Sequence, residues 1–249
     1  SIGIADSQIK LLTHAEVALF WAKQVNVDIS IFDKEMPIYK EIKKNIELTK
    51  DIKQALKDDN ILMFGQKIID NKSNEVKYET LMRMKLSNGK VVSPFAFLEH
   101  AKKARLYPLM TNRIIDKSCE YFKDKDTTFS INLMIEDIKN EKTIEFLFDK
   151  LKETNCSNKV VLEIVESEGI EKFEEVGIFI KRAKSLGCKV AIDDFGTGYS
   201  NFEYIIKLNV DYLKIDGSLI KNIHVNENIK LTVSTIVNFA KVLGIKTVA

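Results

Sequence analysis

Long apolar runs are missing from this 249-residue chain: nothing in it approaches the roughly 18 consecutive apolar residues that a membrane-crossing helix needs, and no signal-peptide pattern is present. Cysteine is scarce as well. Cys119, Cys156 and Cys188 form an odd set without C-x-x-C spacing, which argues against a zinc knuckle or a disulfide framework and suits free thiols in a reducing cytoplasm. Only three Pro and ten Gly occur, beside 45% hydrophobic and 30% charged residues, so a disordered or low-complexity chain is excluded. No charge of one sign dominates. With 38 Lys plus Arg against 36 Asp plus Glu the formal charge is +2, which argues against a broad surface for a nucleic acid polymer, so an anionic ligand must be held locally. His14, His100 and His224 are dispersed and read as surface or structural residues, and Trp21 as a packing residue of the first helix.

What remains is a soluble globular chain with length for a sizeable core. Residues 1–36 read as a short strand (SIGIA), a helix (LLTHAEVALFWAKQ) and a second strand (VDISIF); residues 37–58 read as a charged connecting helix. From residue 59 to 249 strands alternate with amphipathic segments. The strands are ILMFGQKIID, VKYETLMRMKL, TTFSINLM, KVVLEIVES, KVAIDDF, VDYLKID and GIKTVA; the helical stretches are SPFAFLEHAKKARL, EKTIEFLFDKLKET, FEEVGIFIKRAKSLG and ENIKLTVSTIVNFAKVLG. That alternation implies parallel strands with crossover helices, except that only DNKSNE parts the first two strands, which predicts an antiparallel hairpin. Periodicity alone leaves a closed barrel and an open doubly wound sheet both standing.

Polar residues recur near the carboxyl ends of these strands: Asn132 in SINLM, Glu163 and Glu166 in LEIVE, Asp193 and Asp194 in AIDDFG, Lys214 and Asp216 in LKID. Glu79, Leu81 and Arg83 share one face of the hairpin, because side chains repeat every two residues along a strand. In a barrel these ends converge on one mouth, and an Asn, several carboxylates and a Lys facing one space make a cage for hard divalent cations such as Mg²⁺ or Mn²⁺. Two ions would explain the paired Asp193 and Asp194, with Gly196 and Gly198 letting the loop turn beside them.

Glu79-Thr80-Leu81 with Arg83, Asn132, Glu163-Ile164-Val165-Glu166, the run from Asp193 to Ser200 (DDFGTGYS) and Lys214-Ile215-Asp216 resemble, in order and spacing, the EAL family of cyclic di-GMP phosphodiesterases. Pro94 and Phe97 match the family's pattern too. Residues 1–36 look like the closing strand and helix of a GGDEF diguanylate cyclase domain without its signature loop, so no cyclase activity is expected of them. The resemblance implies a TIM-like (β/α)8 barrel with an antiparallel first strand, hydrolysing cyclic di-GMP to linear pGpG with two Mg²⁺ or Mn²⁺ ions. It implies Glu79, Asn132, Glu163, Asp193 and Asp194 as metal ligands and Lys214, Glu79 and Asp193 as the catalytic set. Gln66, Leu81, Arg83 and Asp216 are implied as substrate contacts. It also implies a cytoplasmic homodimer, with sensory or GGDEF domains in a longer protein that could itself be membrane-associated.

Some positions depart from the family. EAL is ETL here, Y-Q-P becomes Gly65-Gln66-Lys67, and the Thr of E-x-T-E is Val165. The chain stops at KTVA, where family members continue into a Glu that helps bind metal and a last βα unit, so the barrel is expected to lack that unit and the natural protein to be longer. The alternative is a catalytically silent cyclic di-GMP receptor. A Schiff-base aldolase using Lys214 is disfavoured by the surrounding carboxylates, and a kinase reading of D-F-G lacks both a Gly-rich loop and an H-R-D segment.

Overall fold

In the computed structural model, which describes residues 1–6, 10–165, 173–196 and 202–249, the chain opens with a small parallel β-α-β unit. Ile2–Ile4 (β1) pairs with Ile29–Ile31 (β2), and Leu11–Gln24 (α1) packs across them. The approach is so close at Gly3 that a Cβ there would sit 2.2 Å from the Leu19 backbone nitrogen, so only glycine fits. His14 is buried in this unit, its ring stacked on Phe32 with centroids 3.9 Å apart, and Tyr39 meets both edge-on. Its role is structural.

Pro37–Lys57 (α2) begins with proline at its first turn, where the missing N–H costs nothing. Ile52 and Ala55 near its other end are buried with Ile61, Met84, Phe97, Met110 and Ile114, so the connecting helix closes one side of the main domain.

Ile61–Ile69 (β3) and Val76–Lys85 (β4) form the expected antiparallel hairpin. Asp70 shapes its turn: Oδ1 accepts the backbone N–H groups of Lys72 and Ser73. The chain continues through Val91–Val92 (β5), Leu98–Lys103 (α3), Tyr107–Phe122 (α4), Thr128–Leu133 (β6), Ile135–Lys139 (α5), Glu141–Glu153 (α6) and Val160–Val165 (β7). Phe173–Ser185 (α7), Lys189–Phe195 (β8), Phe202–Leu208 (α8), Tyr212–Ile215 (β9), Gly217–Asn222 (α9), Glu227–Val242 (α10) and Lys246–Val248 (β10) follow. One curled sheet results, ordered β10-β9-β8-β7-β6-β4-β3 with β5 beside β4. Every neighbouring pair from β4 to β10 along that path is parallel. Crossover helices cover its outer face, a TIM-like arrangement. The ion pair Lys246–Asp70, at 3.3 Å, links the start of β10 to the end of β3 across the curl.

The main core lies between strands and helices. In α6, Ile144, Leu147, Phe148 and Leu151 recur at helical spacing and are buried, and the Asn140 side chain caps the first turn by accepting the Thr143 N–H. The SPFAFLEHAKKARL stretch divides into a short 3-10 turn at Pro94–Ala96 and α3. Helix α4 had no counterpart in the sequence reading: Thr111 and Ser118 are buried among its apolar residues and blur the period. The three cysteines are buried free thiols, and burial pushes those of Cys119 and Cys188 up to about 12. Among the described residues no helix is long and apolar enough to cross a membrane.

At the start of α5 the N-cap residue is Met134, and Asp137 three residues on supplies the missing acceptor. Its Oδ2 takes the Met134 N–H at 2.9 Å and the Tyr107 hydroxyl at 2.5 Å. Burial pushes the Asp137 carboxyl up to about 6, against the opposing effect of those hydrogen bonds. The folded state therefore binds this proton more tightly than the unfolded chain does. The resulting stability is fully present below the ordinary carboxylate pKa and is lost as pH rises through about 6. Asp137→Asn should remove this decline, on the order of 3 kcal/mol, between about pH 4 and 6. Urea unfolding of both proteins across that window measures it; parallel pH profiles would refute it.

Candidate active site

Strand alternation sorts the barrel interior into layers. Val161, Ala191 and Tyr212, on β7, β8 and β9, pack together with Val248 of β10 as an apolar floor. Two residues further along the same three strands stand Glu163, Asp193 and Lys214. On β4 the same step leads from Lys77 to Glu79, and on β6 from Ser130 to Asn132. Strands β4 and β9 are thus joined twice across the interior: Lys77 Nζ donates to the Tyr212 hydroxyl at 2.7 Å, and one layer up Lys214 reaches Glu79.

Lys214 Nζ donates to Glu163 Oε2 at 2.6 Å, Asp193 Oδ2 at 2.9 Å and Glu79 Oε2 at 3.1 Å. Asn132 Nδ2 donates to the other Glu79 oxygen at 3.0 Å. Burial alone would lower the Lys214 ammonium, but the three carboxylates outweigh it and raise it above the ordinary lysine range. Glu163 is 3% exposed, and burial, with Glu79 adding repulsion and Lys214 opposing, pushes it up to about 7. One oxygen from each of Glu79, Glu163 and Asp193 lies within 4.8 Å of the others, so these three can close around a single cation.

Adjacent residues of a regular strand point to opposite faces, so Asp193 and Asp194 could not both serve one site without a break in the ladder. The break is present: the β8–β9 register shifts between Ile192 and Phe195, and Asp194 takes a left-handed backbone at φ 55°. Asp194 donates its N–H to Asp193 Oδ1 at 2.9 Å, while its own carboxyl turns toward Asp216. Burial, then Asp193 and Asp216, raise the Asp194 pKa. Asp216 lies just past β9 and caps α9 by accepting the Ser218 N–H at 2.7 Å. Gly196, at φ 109°, ends the turn where a Cβ would stand 2.6 Å from Leu219 Cδ1 and strain the backbone.

The structure therefore brings Glu79, Asn132, Glu163, Asp193 and Lys214 into one cluster, with Asp194 beside it and Asp216 beyond. Gln66 pairs directly with Glu79 on the inner side of the hairpin, and Leu81 and Arg83 follow along that side toward the mouth. Gly65, at the departure from Y-Q-P, faces outward, where an added Cβ would touch only the Tyr78 ring at 3.6 Å. That change lies off the cluster. Glu166, Thr197, Gly198, Tyr199 and Ser200 lie outside the described residues. The sequence reading missed Lys77, Ser130 and Tyr212; counting back two residues from each polar position would have found them.

Residues 49–249 match the EAL domain family. The chain belongs to it. The EAL match begins in the second half of α2. Among curated relatives, the chain is 28% identical over 267 residues to cyclic di-GMP phosphodiesterase PdeB of Shewanella oneidensis, covering 100% of this chain and 31% of that protein. It is 30% identical over 227 residues to cyclic di-GMP phosphodiesterase PdeA of Borreliella burgdorferi, covering 88% and 34%. The chain thus spans about a third of the length of these relatives. The fold is similar to that of the Xanthomonas citri FimX EAL domain in complex with c-diGMP, with a TM-score of 0.75 at 19% identity and 84% of each chain covered.

In chelator, Lys214→Met should destabilise the EAL fold by about 3 kcal/mol or more, because three carboxylates are left facing one another without a cation. Urea unfolding reads this, and a variant as stable as the parent would show that the ammonium is not what holds the cluster.

Proposed function

We propose that this chain hydrolyses one phosphodiester of cyclic di-GMP to give linear pGpG. The observation that carries this reading is the convergence of Glu79, Glu163 and Asp193, from three strands, on one cation-sized space in which the Lys214 ammonium sits, with Asn132 at its edge. The donor set is all oxygen apart from the lysine, which suits Mg²⁺ or Mn²⁺, and Glu79, Asn132, Glu163, Asp193 and Asp194 would hold two ions. When bound, such ions supply Lewis-acid activation of water and neutralise charge developing on the phosphoryl oxygens.

The protein's own groups do the rest. Lys214, fully charged, orients the three carboxylates by donating to each of them. Arg83 offers a planar donor fork for a phosphate, and Gln66 and Leu81 line the approach. Asp216 acts through Asp194, keeping that carboxyl turned to its place. The catalytic set is Lys214, Glu79 and Asp193. The curated relatives named cyclic di-GMP phosphodiesterases support the substrate. We also read residues 1–36 as the tail of a GGDEF-like domain, 37–58 as the connector and 59–249 as the EAL unit, working in the cytoplasm as a homodimer with further sensory or GGDEF domains.

Conversion of cyclic di-GMP to pGpG, followed chromatographically with Mg²⁺ or Mn²⁺ and with a chelator control, tests the reading. Glu79→Ala and Asp193→Ala should fall to the chelator level with the fold retained. Metal and ligand binding without product in the parent protein would make it a receptor instead, and unchanged rates in either variant would undo the cage assignment.

A further inference from the structure

The inner side of β3 carries Leu62, Phe64, Gln66 and Ile68, since Ile61 and Met63 pack outward into the helix-covered cores. Phe64 stands out among them. The phenylalanines that build the barrel's packing, Phe97, Phe122, Phe129, Phe148 and Phe195, are at most 2% exposed, whereas Phe64 is 47% exposed although it faces the interior. Because β3 is the end strand of the described sheet, the ring lies open toward the interior.

Its neighbours are chosen from the site. Phe64 pairs with Leu81, and the next inward pair along the ladder is Gln66 with Glu79, so the ring stands one strand repeat, about 7 Å, above the acidic layer. The Arg83 guanidinium lies 5.6 Å from the ring centroid, within cation–π range, and one of its nitrogens donates to the Met82 carbonyl at 2.7 Å. That bond ties one nitrogen of the guanidinium near the ring while leaving further donors of the fork, and Arg83 forms no ion pair among the described residues. A half-open aromatic ring beside an anchored guanidinium, one repeat from a cation cage, is a pair of recognition elements for a nucleotide: a π surface for the base and a fork for the phosphate attached to it.

We propose that Phe64 is the platform on which one purine base of the substrate stacks, an assignment that rests on the cyclic di-GMP reading above. Phe64 carries affinity and not chemistry. It sets where the ring-shaped dinucleotide lies over the acidic layer, and Arg83 holds the platform and the adjoining phosphate together.

Stacking on one aromatic platform corresponds to roughly a tenfold or larger change in affinity. Cyclic di-GMP is titrated by calorimetry in chelator, where turnover is arrested, and again with Mn²⁺ on a short time scale. Phe64→Ala should weaken binding about tenfold or more and raise KM with kcat much less affected, while Mn²⁺ affinity stays at the parent value; Phe64→Tyr should restore binding. A direct contact readout is available because the chain has a single tryptophan, Trp21, in α1. In the Trp21→Phe/Phe64→Trp variant the emission should be quenched saturably by cyclic di-GMP with the calorimetric midpoint. Parent-like affinity of Phe64→Ala, or binding that leaves the emission of the new tryptophan unmoved, would overturn the platform while leaving the phosphodiesterase reading intact. No cyclic di-GMP binding by the parent, with or without Mn²⁺, would take down both.

Discussion

The ammonium of Lys214 is the constraint around which the site is organised. Three carboxylates from β4, β7 and β8 cannot be brought within hydrogen-bonding reach of one point in a largely buried space unless positive charge sits among them. The lysine satisfies that requirement from β9, opposite β4 across the curl. Everything that fixes its position, from the Tyr212 ring beneath it to the register of β9 against β8, therefore also fixes the spacing of the acids. The acids are thereby held in a fixed geometry with their charge compensated from within.

Directly below lies a layer of different character. Val161, Ala191, Tyr212 and Val248 exclude water from the underside of the acids, and the Lys77–Tyr212 hydrogen bond repeats the β4–β9 link one step down. The consequence is electrostatic: a dry floor strengthens each interaction above it and raises the Glu163 pKa toward neutrality. Acidic layer and floor are thus two successive repeats of the same strands, with the lower one apolar on β7 and β8 and completed by Lys77 and Ser130 from β4 and β6.

That period is also why so much could be read from the chain beforehand. The strand-then-helix rhythm, the hairpin at DNKSNE and the polar strand ends needed only alternation and spacing, and the resemblance to EAL domains rested on motifs read directly. What could not be read was set by contacts between distant segments. Nothing local announces that Lys77 meets Tyr212, or that Gly65 turns its back on the site. The two adjacent aspartates raised a question that sequence alone could not answer, since their shared orientation depends on a register slip against β9 and on a left-handed residue at Asp194. Helix α4 was hidden for a related reason: Thr111 and Ser118 occupy buried positions that periodicity assigns to apolar residues. Asp216 is seen as a helix cap as well as a neighbour of Asp194, two roles that one spacing argument cannot separate.

The links through Lys214 span sequence separations of 21, 51 and 135 residues. Groups drawn together from such separations do not exist as a set in any single hairpin or β-α-β unit of the fold; the widest pair, Glu79 and Lys214, comes together only when the first hairpin and the β9 strand occupy the same curled sheet. Closing a loop that long carries an entropic cost that local contacts cannot meet in advance. The lysine-centred arrangement of acids is accordingly a late property of folding, complete only when the sheet has wound round on itself.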